Sequence, residues 1–156
     1  MKSIDRVRTA AEAAGLPVDI VTMPATTRTA EDAATACGCT VDRIVKSMIF
    51  EAEETGELVL LLVSGRHNAD LTHVQRKIGL TLKRADPTKV RDVTGFAIGG
   101  VSPIGHKSPI KAWIDTVLLG QETVWAAAGK PNAVFEAEPK ALAKAAGAEA
   151  LGMVSG

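Results

Sequence analysis

A chain of 156 residues is one domain's worth of sequence, and at this size it buries roughly 70% of the surface its unfolded form exposes. Apolar residues at 46% and charged residues at 23% exclude a mainly disordered chain. Eighteen Lys and Arg balance eighteen Asp and Glu, and aromatics are 3% with no Tyr; this excludes a strongly basic nucleic-acid binder and argues against stacking platforms, while leaving room for a local basic patch.

Residues 1–14 carry Asp5, Arg6, Arg8 and Glu12 among their apolar residues and show no signal-peptide core. Ser3 is placed to cap a first helix with Ile4, Val7 and Ala11 on one stripe and Gly15 as its stop. Val18–Met23 reads as a strand closed by Pro24. Thr29 caps a second helix, with Glu31 and Asp32 where the helix dipole favours acids, ending near Gly38; Thr40 starts a short turn. Ile44–Phe50 and Leu58–Ser64 read as strands of a hairpin joined by the acidic turn 51–57. The longest apolar run, Leu58–Val63, is far short of the roughly 20 residues that span a bilayer. Asn68 or Asp70 caps a helix ending near Gly79, and Asp86-Pro87 opens another that ends at Gly95. A loop follows over 97–105, then strands at Ile110–Ile114, Val124–Ala127 and Val134–Ala137, then a helix from Pro139 to Gly147. Strands and helices mix without strict βαβ alternation, which predicts an α+β fold, and without a linker or repeat one domain over 1–156 is expected. Two cysteines, Cys37 and Cys39, are too close for an ordinary disulfide and too few for a secreted framework. The expectation is a soluble cytoplasmic protein.

Lys46 stands out because period-two alternation sets it on one face with Ile44, Met48 and Phe50, all apolar. A buried lysine is costly unless paired or deprotonated, so its place there asks for a role; the bland alternative is an edge lysine that snorkels to water. The segment Gly99-Gly100-Val101-Ser102-Pro103 allows positive φ and close backbone approach, and such a loop can aim N–H groups at an anion or a carbonyl oxygen. It lacks the Lys-Ser/Thr ending of a Walker loop and the third glycine of a dinucleotide fingerprint, and by itself also reads as a tight turn. Cys37-Gly38-Cys39 reads better as a helix C-cap than as a metal half-site, and His67, His73 and His106 do not form a zinc pattern. Ser64-Gly65 lacks the flanks of a nucleophile elbow, and Asp115 can simply cap the turn that follows it. Between Arg66 and Asp92, seven Lys/Arg stand against three Asp; such a run is a solvated face or a phosphate contact.

Taken together, these residues resemble the YbaK/ProX family, free-standing relatives of the editing domain of bacterial prolyl-tRNA synthetases. The resemblance runs from about Asp5 to Ala148 and is carried by Thr29-Ala30-Glu31-Asp32-Ala33-Ala34, Val45-Lys46-Ser47-Met48-Ile49-Phe50, Leu62-Val63-Ser64-Gly65, the segment from Thr94 to Gly105, Trp113-Ile114-Asp115 and Ala128-Gly129. It implies an α+β fold around a mixed, barrel-like sheet flanked by helices. It also implies a hydrolase that removes a wrong amino acid from the 3′ end of a tRNA, most often that for proline, with no metal or other cofactor. In that role Lys46 contacts the substrate near its ester or terminal phosphate, Gly99 and Gly100 set backbone against the ester, and Ser102 and Pro103 shape the loop. Met23, Thr29, Ser64, Asp115, Ala128 and Gly129 complete the expected substrate-binding set. Ala126-Ala127-Ala128 stands where several relatives carry a polar side chain, and Met23 and Thr29 where some carry aromatics.

The chemistry suits the residues. An aminoacyl ester is already reactive, so positioning a water and stabilising the developing oxyanion can suffice without a Ser-His-Asp set. One methylene is worth only about 1–3 kcal/mol, too little for a synthetase to exclude small analogues, so a second pocket removes the error. Arg66, Arg76, Lys77, Lys83 and Arg84 are the expected tRNA contacts. The acceptor end of an aminoacyl-tRNA is the expected partner; prolyl-tRNA synthetase is left open as another, and membrane and DNA are not expected. Two rivals remain: a non-catalytic tRNA- or synthetase-binding module of the same fold, and a lysine enzyme forming a Schiff base through Lys46.

Overall fold

The computed structural model describes residues 2–23 and 29–154. Side-chain caps set most helix starts. Thr29 accepts from Asp32 N at the head of α2 (Ala30–Cys37), and Asp70 accepts from His73 N before α3 (Leu71–Ile78). Asp86 accepts from Thr88 N before α4 (Pro87–Thr94), and Glu138 caps α6 (Pro139–Ala146). Each occupies a backbone donor that the first helical turn leaves without a partner. All four helices end on a left-handed glycine: Gly38, Gly79, Gly95 and Gly147. The first helix, α1 (Ser3–Ala13), departs from expectation, because Ser3 is already helical and Lys2 holds the cap position without a side-chain bond.

The strands form two sheets. In the larger, β2 (Val45–Ala52) and β3 (Leu58–Ser64) make the expected antiparallel hairpin, with Lys46 opposite Val63. β4 (Leu82–Arg84) pairs antiparallel with the far end of β2, while β5 (Lys111–Asp115) and β8 (Ala148–Leu151) add in parallel, giving the order β4-β2-β3-β5-β8. The smaller sheet has the order β1-β7-β6, from β1 (Val21–Thr22), β6 (Val124–Ala127) and β7 (Ala133–Ala137). One isolated parallel bridge, Ile44 to Trp125, links the two among the described residues. The fold is therefore α+β with a mixed sheet and helices, as expected, and the described strands do not close into a barrel.

Two expectations about individual strands are corrected. The strand predicted over Val18–Met23 shrinks to two residues, since Val18 and Ile20 pack against the main core instead of pairing; its predicted stop, Pro24, lies outside the described residues. β4 and β8 were not expected, and β8 reads as helix from its Ala and Glu content.

All seven residues of β3 are buried, so the sheet separates two apolar layers. Leu58, Leu60 and Leu62 join the larger core with Val45, Val7 of α1, Val90 of α4, Phe96, Phe135 and Leu142. Val59, Leu61 and Val63 face the other way, toward Val74 of α3, Trp113 and Met153, with Met48 and Phe50 partly buried against them. Among the described residues no helix is long and apolar enough to cross a membrane.

Candidate active site

Between the two sheets, β4 covers β2 only at Phe50–Ala52 and β6 reaches it only by the bridge at Ile44. The stretch between is open and borders a cavity of about 280 Å³, just under the usual range for small-molecule sites. Its walls come from four places: Thr29, Ala30, Ala33 and Cys37 at α2, residues 44–47 of β2 and its approach, Gly99 and Val101 of the loop, and Trp125, Ala126, Ala127, Pro131 and Val134 of the small sheet. Lys46 and Gly99, 53 positions apart, thus meet at one small and largely apolar space.

Lys46 belongs to the strand face of Met48 and Phe50, as expected, and its ammonium donates to the carbonyl oxygen of His67. That acceptor is neutral, so the lysine is held in place without its charge being cancelled. The His67 ring is anchored in turn, its Nδ1 lying 2.8 Å from Oδ2 of Asp115. Asp115 is completely buried and also accepts from the backbone N–H of Ser64 and of Val117, the latter capping the short helix α5 (Thr116–Leu119). Ser64, likewise buried, donates its hydroxyl to the carbonyl of Asp42. Ser64 and Asp115 stand behind Lys46 as a hydrogen-bonded scaffold and do not line the cavity.

The glycine pair divides its work. Gly99 lines the cavity at φ +94°, a conformation that favours glycine. Gly100 does not line it: its N–H donates to Ala97 O, and a Cβ there would stand 3.1 Å from Lys130 Cα and 3.2 Å from Gly129 O. Gly129 presses on the start of α1, where a Cβ would meet Ser3 C at 2.9 Å. Ser102 and Pro103 are buried behind the loop, with Ser102 Oγ accepting from Ile104 N. Met23 exchanges bonds with Asn132, and Ala128 is buried beyond the end of β6. Of the expected site residues, Lys46, Gly99 and Thr29 line the cavity; Met23, Ser64, Gly100, Ser102, Pro103, Asp115, Ala128 and Gly129 do not. The approach of Trp125, Val134 and Cys37 was not foreseen, since only the crossing of the two sheets creates it.

Burial, with smaller contributions from Cys39 and Glu136, pushes the Cys37 thiol up to about 11, so the wall it forms is uncharged. Among the described residues no group of three His, Cys, Asp or Glu could hold a metal ion.

The basic residues do not form one patch. Arg66 pairs with Asp42 at 3.2 Å beside the start of β2, whereas Lys83 and Arg84 lie opposite Glu51 and Phe50 at its far end. Lys83 is ion-paired with Glu51, as is Lys89. Arg76 and Lys77 occupy the last turn of α3, which is tied to the same end of the sheet by Gln75 Oε1 accepting from Leu82 N.

The family model for the aminoacyl-tRNA editing domain matches residues 24–145. YwhH of Bacillus subtilis, an uncharacterized protein, is 29% identical over 126 residues, 81% of this chain and 80% of its own length. EbsC of Enterococcus faecalis, named as a candidate Cys-tRNA(Pro)/Cys-tRNA(Cys) deacylase, is 27% identical over 72% of this chain and 69% of its own. A proline–tRNA ligase of Moorella thermoacetica is 34% identical over 79 residues, half of this chain but only 13% of that longer enzyme. A solved structure named as a candidate trans-editing enzyme for prolyl tRNA synthetase superposes with a TM-score of 0.91 at 45% identity, covering 100% of this chain and 99% of that one. With the family's model covering most of its length and its lysine strand and glycine loop meeting at one cavity, this chain belongs to the aminoacyl-tRNA editing domain family.

Proposed function

We propose that this chain hydrolyses, in trans, the ester of a mischarged tRNA, with the tRNA for proline as substrate. The observation that carries the proposal is the meeting of Lys46 and Gly99 at one small cavity in a chain of the editing family. The reaction needs little machinery. Water adds to the ester carbonyl, negative charge develops on its oxygen, and collapse releases the amino acid and returns a proton to the terminal ribose oxygen. The uncancelled charge of Lys46 favours that oxyanion and the nearby phosphate, and the backbone at Gly99 lets the ester approach without a side chain in the way. Gly100 keeps the loop against the 129–130 turn, and the hydrogen-bonded set of Asp115, His67 and Ser64 keeps Lys46 in place.

The walls support a short, uncharged side chain on the amino acid removed. Ala30, Ala33, Ala126, Ala127 and Val134 offer no carboxylate or amide, so a cationic side chain there would be unpaired. Alanine and 2-aminobutyrate fit this lining better than serine or threonine.

A panel of proline tRNAs charged with alanine, 2-aminobutyrate, cysteine, serine and threonine tests the reading. Wild-type protein is expected to release alanine and 2-aminobutyrate fastest. Lys46→Ala should lower the rate about 10- to 100-fold, as expected for losing one charged hydrogen bond, with the melting temperature little changed. Binding of tRNA without release of any amino acid would instead make the protein a binding module.

A further inference from the structure

Among the residues lining the cavity, Ser47 carries a hydroxyl that stands apart from the rest. Ser47 Oγ is buried from water and has no hydrogen-bond partner among the described residues, which is uncommon for a hydroxyl in a folded chain. Its place follows from strand geometry. Side chains alternate along β2, so Ser47 lies with Val45 and Ile49 toward the main core, on the opposite face from Lys46, and both residues border the cavity along the strand's open edge. The backbone alternates too. Gly65 N donates to Ile44 O and Ala52 N to Glu57 O, so even-numbered residues of this stretch bond across to β3. The N–H and C=O of Ser47 therefore point the other way, at the edge that neither β4 nor β6 covers.

We propose that Ser47 binds the α-amino group of the aminoacyl ester, through its hydroxyl oxygen and its free backbone carbonyl. This rests on the deacylase reading above and names how that site recognises its substrate. An aminoacyl ester brings two kinds of polar group into the cavity. Its ester oxygens gather negative charge and belong with Lys46 and Gly99. Its ammonium is repelled by Lys46 and needs acceptors elsewhere on the wall, where the side chains of Ala30, Ala33, Ala126, Ala127 and Val134 offer none and the Thr29 hydroxyl already accepts from Asp32 N. Ser47 supplies acceptors one residue from Lys46 but on the other face of the strand, so the two ends of the substrate are read by adjacent residues that do not compete.

The test compares proline tRNA acylated with alanine and with propionate, the same acyl group without nitrogen, each rate being divided by its uncatalysed rate. Wild-type protein is expected to favour the alanyl ester roughly 10- to 100-fold, the range for a hydrogen bond to a charged group. Ser47→Ala should erase that preference, mainly through KM for the alanyl ester, while leaving the propionyl rate unchanged. Ser47→Thr, which keeps the hydroxyl, should retain it. Because the free protein makes no bond through this hydroxyl, Ser47→Ala should not lower the melting temperature. A Ser47→Ala protein that keeps the full preference, or loses both substrates equally, overturns the assignment while the deacylase reading stands. If the wild type hydrolyses neither ester, that reading fails and this one with it.

Discussion

Lys46 and Ser47 are neighbours in the chain and opposites in space, and their difference shows how little a residue's identity says before its surroundings are known. The lysine avoids the cost of burial by bonding a carbonyl at the sheet's end, whereas the serine, on the cavity wall, keeps a buried oxygen with no partner among the described residues. His106 is another residue whose environment sets its chemistry. Burial pushes its pKa below the ordinary 6.5, opposed by a bond to the carbonyl of Ser102, and its ring meets Phe96 edge-on at 6.1 Å. The folded protein therefore favours the neutral ring and the unfolded chain binds the proton more readily. The stability this provides is fully present above pH 6.5 and is lost as pH falls through the lower folded value. The melting temperature should fall between pH 7 and pH 5, and His106→Gln should flatten that slope. Glu51 and Glu54, whose carboxyls are held below 4.5 chiefly by Lys89 and by the Thr81 backbone respectively, act only at more acid pH, so thermal melts at pH 7, 6 and 5 isolate the histidine.

At the scale of elements, the loop over 97–105 is fixed from behind. Gly99 needs its left-handed backbone but has open space where a Cβ would go, while Gly100 has ordinary backbone and no space. The two alanine substitutions should therefore fail differently. Gly99→Ala incurs backbone strain on the order of 1–3 kcal/mol. Gly100→Ala pushes on the backbone of residues 129–130, which cannot turn aside like a side chain; overpacking of this kind costs about 1–3 kcal/mol and shifts the loop that carries Gly99 and Val101. Gly100→Ala should lower the deacylation rate at least tenfold even at temperatures where thermal melts show it fully folded. Wild-type turnover in that variant would reduce the pair to an ordinary turn.

Over the whole molecule, the proposed function makes charge rather than packing the means of holding a tRNA. Of the five expected contacts in a chain of zero net charge, Arg66 and Lys83 are each engaged by a carboxylate, which leaves Arg76, Lys77 and Arg84 for phosphate. Arg76, Lys77 and Arg84 gather near the end of β2 that lies about five residues, roughly 15 Å, from Lys46. Three or four phosphate contacts predict a slope of log affinity against log salt on the order of −2 to −3. Reversing Arg76 and Lys77 to Glu should weaken tRNA binding and make that slope shallower, without changing which amino acid is released, because neither residue lines the cavity. A salt series on the full tRNA and on a short aminoacyl minihelix measures both effects; affinity indifferent to salt and to both reversals would mean that other residues hold the tRNA.

The sequence alone determined whatever rests on local chemistry. Thr29, Asp86 and Pro87 mark helix starts, Gly38, Gly79, Gly95 and Gly147 mark stops, and Leu58–Ser64 is a strand because only a central strand buries every residue of such a run. The family, too, was legible, in the lysine strand and the glycine loop. Tertiary structure decided the rest. Ala148–Leu151 becomes a strand because β5 offers it a parallel edge, against its own helical preference. The cavity exists because β4 and β6 each stop short along β2, and no local pattern records where a neighbouring strand ends. For the same reason Ser64 and Asp115 fall behind the site and Ser47 within it: alternation gives each strand residue a face, but only the packing of two sheets says which face meets the substrate.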